Sequence, residues 1–164
     1  MGTQPGVEEI YIAPAAGAKM QKVEEVEAVA GLGLRGDRYC ERKGLYSGVD
    51  ECQVTLIEGE GLDQISRSAG LRVKAGEHRR NIVTRGIRLD RLSGKLFQIG
   101  EAILQYDRPR PPCSYLQSLT QPDMARALMD KAGICARVVK SGMIRTGDPI
   151  RVLGRVTLSE VEAE

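Results

Sequence analysis

The amino-acid sequence predicts a β-rich α+β domain, a single closed or nearly closed β-barrel with a few short helices. Turn signals recur about every 8 to 12 residues along the 164-residue chain, as expected for seven or eight short strands. Helical spacing is found in few segments, too few for a repeated βαβ architecture. We expect one domain over residues 1–164, with a core at about 7–153 and a frayed tail at 155–164.

The first half of the chain contains strand patterns with one uncertain segment. Alternating apolar and polar residues predict a strand over residues 7–12. Valines at every third position favour a helix in 21–31, but their β-branching also allows a strand, and both alternatives stay open. The three glycines of GLGLRG predict a turn that needs positive φ or a close approach of the backbone. A strand over 52–58 follows, and then a short helix that ends at Gly70.

The second half is predicted to hold more strands and one further helix. RNIVTRGIRL contains a brief strand, and two strands are joined at Gly100. The strongest helix pattern is QPDMARALMDKAG, where Pro122 suits the first turn, Asp123 the positive end of the dipole and Gly133 the stop. Two last strands, ICARVVKSG and DPIRVLG, are separated by a turn at 146–148.

Composition limits the function classes. The net charge of +2 does not indicate a nucleic-acid surface. No apolar run reaches the roughly 18 residues of a membrane span, and MGTQPGVEEI has no secretory signal pattern. We therefore expect a cytoplasmic protein that binds neither nucleic acid nor membrane.

The cysteines have to be judged singly. Their spacing does not supply the close ligand pairs of a structural zinc site, and His78 is the only histidine. Because cytosolic thiols are usually reduced, no disulfide framework is expected, and Cys52 and Cys135 are interpreted as buried strand residues. Cys40, after the glycine-rich turn, either fills space or faces Cys113.

The segment DRPRPPCSYL, residues 107–116, is the most informative stretch. Its three prolines fix φ and force an extended, stiff connector. Arg108 and Arg110 favour the thiolate form of Cys113 if their side chains turn toward it. A thiolate is both a nucleophile and a soft metal ligand. The alternative is that Cys113 is a small buried residue in a proline-rich loop.

Three segments resemble the MOSC domain, which forms the C-terminus of molybdenum cofactor sulfurases and also occurs free-standing: GLRGDR, RNIVTRGIRLDRLSGKLFQIGEAILQYDRPRPPCSYL and GICARVVKSGMIRTGDPIRVL. The resemblance extends over about residues 7–153, with the motifs in the family's order. The family's hallmark, an arginine- and proline-rich approach to one cysteine, falls on Cys113. The resemblance implies a free-standing member with a pyruvate-kinase-barrel-like fold.

The resemblance also implies a chemistry. It implies sulfur transfer or binding of the molybdenum cofactor (molybdopterin), with Cys113 as a persulfide carrier or a molybdenum ligand. Relatives include enzymes that reduce N-hydroxylated bases and amidoximes, so an electron-donor reductase is an implied partner. Fused members carry a pyridoxal-phosphate cysteine desulfurase domain, and a desulfurase is the other implied partner. We do not expect pyridoxal phosphate to bind this chain.

The expected cofactor site adds cations and turn amides to Cys113. Because a pterin phosphate needs arginine forks and backbone N–H groups, four arginines are the candidates. They are Arg79, Arg80, Arg108 and Arg110. Asn81 either hydrogen-bonds a pterin edge or caps a turn, and Thr84 is a weaker candidate.

Further candidates come from two short motifs. In GLRGDR, Gly33 and Gly36 would let the backbone approach a ligand, and Asp37 would fix the turn or reach the pterin. In AGEHRRN, which departs from the family's pattern, His78 is either a proton donor near neutral pH or a structural residue.

Three functions stay open from the sequence. The first is cofactor chemistry at Cys113, in a reductase of N-hydroxylated compounds or in sulfur transfer. The second is a non-catalytic module that delivers the cofactor or docks to a partner. The third is a structural domain without cofactor.

Overall fold

The structure, a computed structural model, describes residues 4–40, 52–68, 70–111 and 123–155. The predicted frayed tail lies outside these residues, except for residue 155. The first elements are β1 (Gly6–Ile12), β2 (Gln21–Val23), β3 (Glu25–Val29), β4 (Gly33–Leu34), β5 (Val54–Glu58), α1 (Gly59–Ser68) and β6 (Ile82–Arg85). They are followed by a 3-10 helix (Leu89–Leu92), β7 (Leu96–Ile99), β8 (Ala102–Pro109), α2 (Met124–Leu128), β9 (Ile134–Lys140), β10 (Gly142–Arg145) and β11 (Ile150–Gly154).

The described strands form two sheets. The larger sheet has eight strands in the order β11-β7-β8-β9-β5-β6-β1-β2, and the smaller has three in the order β10-β3-β4. The uncertain valine-rich segment therefore forms strands, because β2 pairs with β1 and β3 pairs with β10. The pairing of β5 with β6 is parallel, and α1 is their crossover.

The predicted barrel is found only in part. The last strand, β11, lies at one end of the large sheet, and β1 lies near the other end. A single isolated bridge joins Gly6 to Pro149, and the Val7 N–H donates to Asp148 O at 2.9 Å. The Gly147 N–H donates to Val7 O at 2.8 Å and the Ile150 N–H donates to Pro5 O at 2.9 Å, so hydrogen bonds lie on both sides of this bridge. Within the described residues the sheet therefore approaches closure without forming a closed barrel.

Alternating strand residues supply two hydrophobic clusters. Leu56 and Ile57 are neighbours in β5, yet Leu56 belongs to the larger cluster and Ile57 to the cluster around α1 and α2. The same division separates Ile82 from Val83 in β6. Because successive side chains of a strand point to opposite faces, the large sheet packs on both sides of its centre. The single phenylalanine, Phe97, is fully buried.

The two helices match the prediction unequally. α1 ends at Ser68, two residues before the predicted stop at Gly70, whose φ is +67°. α2 has only five residues, and Asp123 before it adopts φ +67° and makes no side-chain cap. After α2 the chain extends at Met129 and turns left-handed at Asp130. The prediction of a helix that continues to a stop at Gly133 is therefore wrong. No helix within the described ranges is both long and apolar enough to cross a membrane.

The cysteine expectation is also corrected. Cys52 and Cys135 form a disulfide, with their Cα atoms 5.9 Å apart. Cys135 pairs with Thr55 across the β5–β9 ladder, and Cys52 lies just before β5. Both side chains are buried, and 83 residues separate them in sequence. Cys40 is partly buried and lies outside this disulfide.

Gly133 and Gly147 form a matched pair for testing this fold. Their φ values are +91° and +92°, but a Cβ at Gly133 would overlap Leu56 O, whereas a Cβ at Gly147 meets nothing within 4 Å. Gly147→Ala should lower the free energy of unfolding by about 1–2 kcal/mol through strain alone. Gly133→Ala should lower it by about 4 kcal/mol or more, because overpacking adds to the strain. Chemical denaturation measures both, and equal losses would contradict the packing at Gly133.

Candidate functional site

The sequence GEHRRN, residues 76–81, forms a buried polar turn ahead of β6. His78, Arg79, Arg80 and Asn81 are all at most 8% exposed. Arg79 adopts φ +59°, and its N–H donates to Gly76 O at 2.9 Å. A non-glycine residue in this region is strained, and such strain persists only where the surroundings hold it. The turn therefore places two arginines and a histidine inside the protein.

Asn81 joins three strands of the large sheet. Its Oδ1 accepts hydrogen bonds from the N–H and the hydroxyl of Thr55, each at 3.0 Å. Its Nδ2 donates to Tyr11 O at 3.1 Å. The side-chain amide is thus hydrogen-bonded within the chain, between β1 and β5, and it fixes the start of β6.

Asp37 and Arg38 form a buried ion pair beside this turn. The Asp37 Oδ1 accepts from Arg38 Nη1 at 3.1 Å and from the Ala13 N–H at 3.0 Å. Its Oδ2 accepts from the Tyr39 N–H at 3.2 Å. Burial raises the pKa of Asp37, while Arg38 and these two N–H groups oppose the rise. Sequence reasoning selected Asp37 but missed Arg38, although the adjacent acid and base in GLRGDR were a signal.

Arg38 ties the pair to the GEHRRN turn. Its Nη2 donates to Arg79 O at 3.4 Å, and its guanidinium lies over the Tyr39 ring, 4.4 Å from the centroid. Arg79 Nη1 in turn donates to Ala18 O at 2.6 Å. Asp37 and Arg79, both predicted as site residues, are therefore brought together through Arg38.

Arg80 connects the turn to the proline-rich segment. We call residues 109–111 the arm. The Arg80 Nε donates to Ala132 O at 2.7 Å, and its Nη2 donates to Arg110 O at 3.3 Å. The Arg110 N–H donates to Gly133 O at 2.9 Å. One buried guanidinium thus fastens the arm to the segment that precedes β9.

Arg108 lies apart from this group. It is paired with Cys135 in the β8–β9 ladder, and its Nη1 contacts the Asp107 carboxylate at 2.5 Å. Arg137 also approaches Asp107, at 3.9 Å. The structure therefore brings Arg80 and Arg110 together and places the Arg108 side chain in an ion pair on the strand.

The two predicted glycines differ in their surroundings. Gly33 has φ +127°, and a Cβ there would lie 2.5 Å from Gln53 O, so its close approach is to the chain's own backbone. Gly36 is exposed, with φ +87° in the turn before Asp37. Thr84 is buried and its hydroxyl donates to Ile57 O at 3.4 Å.

His78 is neutral at physiological pH. Burial, aided by the charges of Arg80 and Arg79, lowers its pKa to about 3. Its Nδ1 accepts the Arg80 N–H at 2.9 Å, so the proton resides on Nε2. Nε2 is buried without a hydrogen-bond partner, and the ring meets Tyr11 edge-on at 5.2 Å. The expectation of a titrating proton donor near neutral pH therefore fails for a physical reason, desolvation.

Cys113, the central candidate, lies outside the described residues. The arm that leads to it is described as far as Pro111. Within the described ranges, no group of three or more His, Cys, Asp or Glu side chains is placed to hold a metal ion.

The Asp37–Arg38 pair should be necessary for stability. Asp37→Ala leaves a buried guanidinium without its carboxylate and should lower the free energy of unfolding by about 3–5 kcal/mol. Asp90→Ala is the matched control, because the Asp90–Arg88 pair is exposed and should matter by less than about 1 kcal/mol. Urea denaturation compares the two, and a loss below 1 kcal/mol for Asp37→Ala would rule out the buried pair.

His78 should make the protein less stable in acid. Between pH 6.5 and about 3 the unfolded chain binds a proton at this position and the folded chain does not. The free energy of unfolding should therefore fall by up to about 1.4 kcal/mol for each pH unit below 6.5. His78→Gln removes this contribution, so its stability should depend less steeply on pH between 6.5 and 5, whatever its absolute stability. Identical slopes for both proteins would show that His78 titrates normally.

The sequence model of the MOSC domain matches residues 43–151. No curated protein is significantly similar in sequence. The fold is similar to the YuaD protein from Bacillus subtilis, with a TM-score of 0.73 and 20% identity over 93% of this chain and 97% of that chain.

Two further crystal structures have similar folds. YiiM from Geobacillus stearothermophilus has a TM-score of 0.70 and 19% identity, with 96% of this chain and 81% of that chain covered. YiiM from Escherichia coli has a TM-score of 0.65 and 24% identity, with 96% and 72% covered. At these identities the similarity concerns the fold alone.

Proposed function

The chain belongs to the MOSC domain family, and on this premise we propose that it binds the molybdenum–pterin cofactor and that Cys113 acts on it as a persulfide carrier or a molybdenum ligand. The observation that carries the proposal is the hydrogen bond from the buried Arg80 guanidinium to the carbonyl oxygen of Arg110 in the arm. Arg110 lies three residues before Cys113 in sequence. When bound, the cofactor supplies a redox-active metal.

The arm supports a preorganised cysteine. Pro109 and Pro111 restrict the backbone on either side of Arg110. Arg110 is held through both of its backbone polar groups, by Gly133 O and by the Arg80 guanidinium. A segment fixed in this way loses little entropy when a ligand binds. Arg110 adds a positive charge three residues before Cys113 in sequence, which favours a thiolate there.

The donor chemistry of the described residues fits an anionic pterin. Arg38, Arg79 and Arg80 place three guanidinium groups in the buried region around the GEHRRN turn. Guanidinium forks suit phosphate oxygens. The His78 Nε2–H is a buried donor that no acceptor among the described residues engages. We assign the phosphate to the side of Arg80 and Arg110, next to the arm.

The remaining candidates have a supporting role in this proposal. Asp37 and Asn81 are hydrogen-bonded within the chain and hold the walls of the site. Gly36 lets the chain turn just before Asp37. Asp37, through Arg38, and Asn81 keep the GEHRRN turn in position.

The proposed activity is reduction of an N-hydroxylated base. An electron-donor reductase supplies two electrons, two protons are taken up, the N–O bond breaks, and the amine and one water are released. In the sulfur-transfer form, a cysteine desulfurase supplies the sulfur that Cys113 carries.

The second candidate is a non-catalytic module that delivers the cofactor or docks to a partner.

Cys113→Ser tests the proposal directly. Expressed in a host that makes the cofactor, the variant should retain at least about tenfold less molybdenum and pterin than the wild type, because a hydroxyl is a poor soft ligand. Elemental analysis and pterin fluorescence measure retention, and mass spectrometry detects sulfur added to Cys113. Cys40→Ser is the matched control and should retain the cofactor.

The comparison separates the alternatives. Thermal unfolding should be the same for both variants, which excludes a folding defect. Turnover of an N-hydroxylated base with an electron donor identifies the reductase, and cofactor retention without turnover identifies the delivery module. Full retention by Cys113→Ser would overturn the role of the thiol as a molybdenum ligand, and the absence of added sulfur on Cys113 of the wild type would overturn its role as a persulfide carrier.

A further inference from the structure

The two residues that lead into β5, Cys52 and Gln53, lie where the two sheets meet, and we call them the entry segment. Continued along the β5–β9 register, Cys52 would lie opposite Val138. The chain bends away instead, because the disulfide holds the Cys52 Cα 5.9 Å from that of Cys135. The Val138 N–H donates to Gln53 Oε1 at 2.9 Å, so a side chain takes the place of a backbone partner. The entry segment is therefore tied to β9 by a disulfide and by a side-chain hydrogen bond.

The entry segment also contacts the smaller sheet. A Cβ at Gly33 of β4 would lie 2.5 Å from Gln53 O, so the two backbones are in close contact. The Gly31 N–H, in the turn between β3 and β4, donates to Val138 O at 2.9 Å. Val138 thus bonds the entry segment through its N–H and the smaller sheet through its carbonyl. We call the contacts among Gly31, Gly33, Gln53 and Val138 the junction.

The junction supports one wall of the polar site, by which we mean the Asp37–Arg38 pair and the GEHRRN turn. β4 has only two residues and makes two pairs with β3. The chain continues from β4 to Asp37, whose N–H donates to Leu34 O at 3.0 Å, and Arg38 then bonds Arg79 O. A strand this short has little stability of its own and depends on its neighbours. The position of Asp37 and Arg38 therefore depends on the junction.

The disulfide is the tie of the entry segment that redox chemistry can open. A dithiol reductant attacks one sulfur, passes through a mixed disulfide and closes into a disulfide of its own. The Sγ–Sγ bond breaks, and Cys52 and Cys135 each gain a hydrogen, so two electrons and two protons are transferred. Two thiols need more space than one disulfide, because their sulfurs no longer share a bond, and both side chains are buried. Reduction should therefore move the entry segment away from β9.

We propose that the Cys52–Cys135 disulfide is a redox switch of the polar site, set by a dithiol reductant. In the oxidised protein, which the structure describes, the closed junction holds Asp37 and Arg38 against the GEHRRN turn. In the reduced protein the entry segment and β4 open locally, and this wall of the site becomes accessible while the rest of the large sheet stays folded. If the site holds the cofactor as proposed above, the reduced form is the one that admits it.

Amide hydrogen exchange followed by NMR tests the switch on the full chain. Dithiothreitol serves as the dithiol, and mass spectrometry after alkylation verifies that Cys52 and Cys135 have become thiols. The amides of Gly31, Asp37 and Val138 should exchange about tenfold or more faster in the reduced protein than in the oxidised protein. Their exchange should not depend on low concentrations of urea, because a local opening exposes little surface. The protein contains no molybdenum in this experiment, so its outcome is independent of the function proposed for Cys113.

Two cysteine variants and a set of distant amides are the controls. Cys52→Ala cannot form the disulfide and should show the open pattern with or without dithiothreitol. Cys40→Ser keeps both cysteines of the disulfide and should respond to dithiothreitol as the wild type does. The amides of the β7–β8 ladder should exchange through global unfolding, at rates that rise with urea.

Three results would overturn the inference. The first is a disulfide that dithiothreitol reduces only in the presence of denaturant. The second is unchanged exchange at Gly31, Asp37 and Val138 after reduction. The third is loss of the folded state, or faster exchange at these amides with the urea dependence of global unfolding, because the disulfide then serves stability alone.

Discussion

The guanidinium of Arg80 is the interaction on which the site depends. It is 5% exposed and donates to carbonyl oxygens of two separate segments, Ala132 before β9 and Arg110 in the arm. A buried cation is tolerated only where such acceptors surround it. The backbone N–H of Arg80 also donates to His78 Nδ1, which selects the tautomer of the His78 ring. One residue therefore contacts the arm, the segment that precedes β9 and the His78 ring.

A second constraint is the number of polar groups that the fold buries near the start of β6. Asp37, Thr55 and Asn81 are each 0% exposed, and each is satisfied by hydrogen bonds to the backbone or to a neighbouring side chain. Buried networks of this kind rigidify a structure only when nearly every member has a partner. The Nε2 of His78 is the exception among these groups, because no acceptor among the described residues engages it.

Local patterns predicted much of the fold, and long-range contacts were beyond them. Alternation and turn glycines located most of the strands and the end of α1, because both signals depend on a few neighbouring residues. The disulfide, the incomplete closure at Pro149 and the short α2 depend on contacts between distant segments. For the candidate site, Arg38 was missed because its part in joining Asp37 to Arg79 depends on a contact between segments distant in sequence. The role of Cys113 and the single-domain organisation stay predictions.

The disulfide has a consequence for chain integrity. Cys52 and Cys135 enclose β5 to β8 and the arm within one covalent ring. A protease that cuts once anywhere inside this ring leaves two fragments still tethered through sulfur. Gel electrophoresis without a reductant would therefore report an uncut mass, and only added thiol would release the pieces.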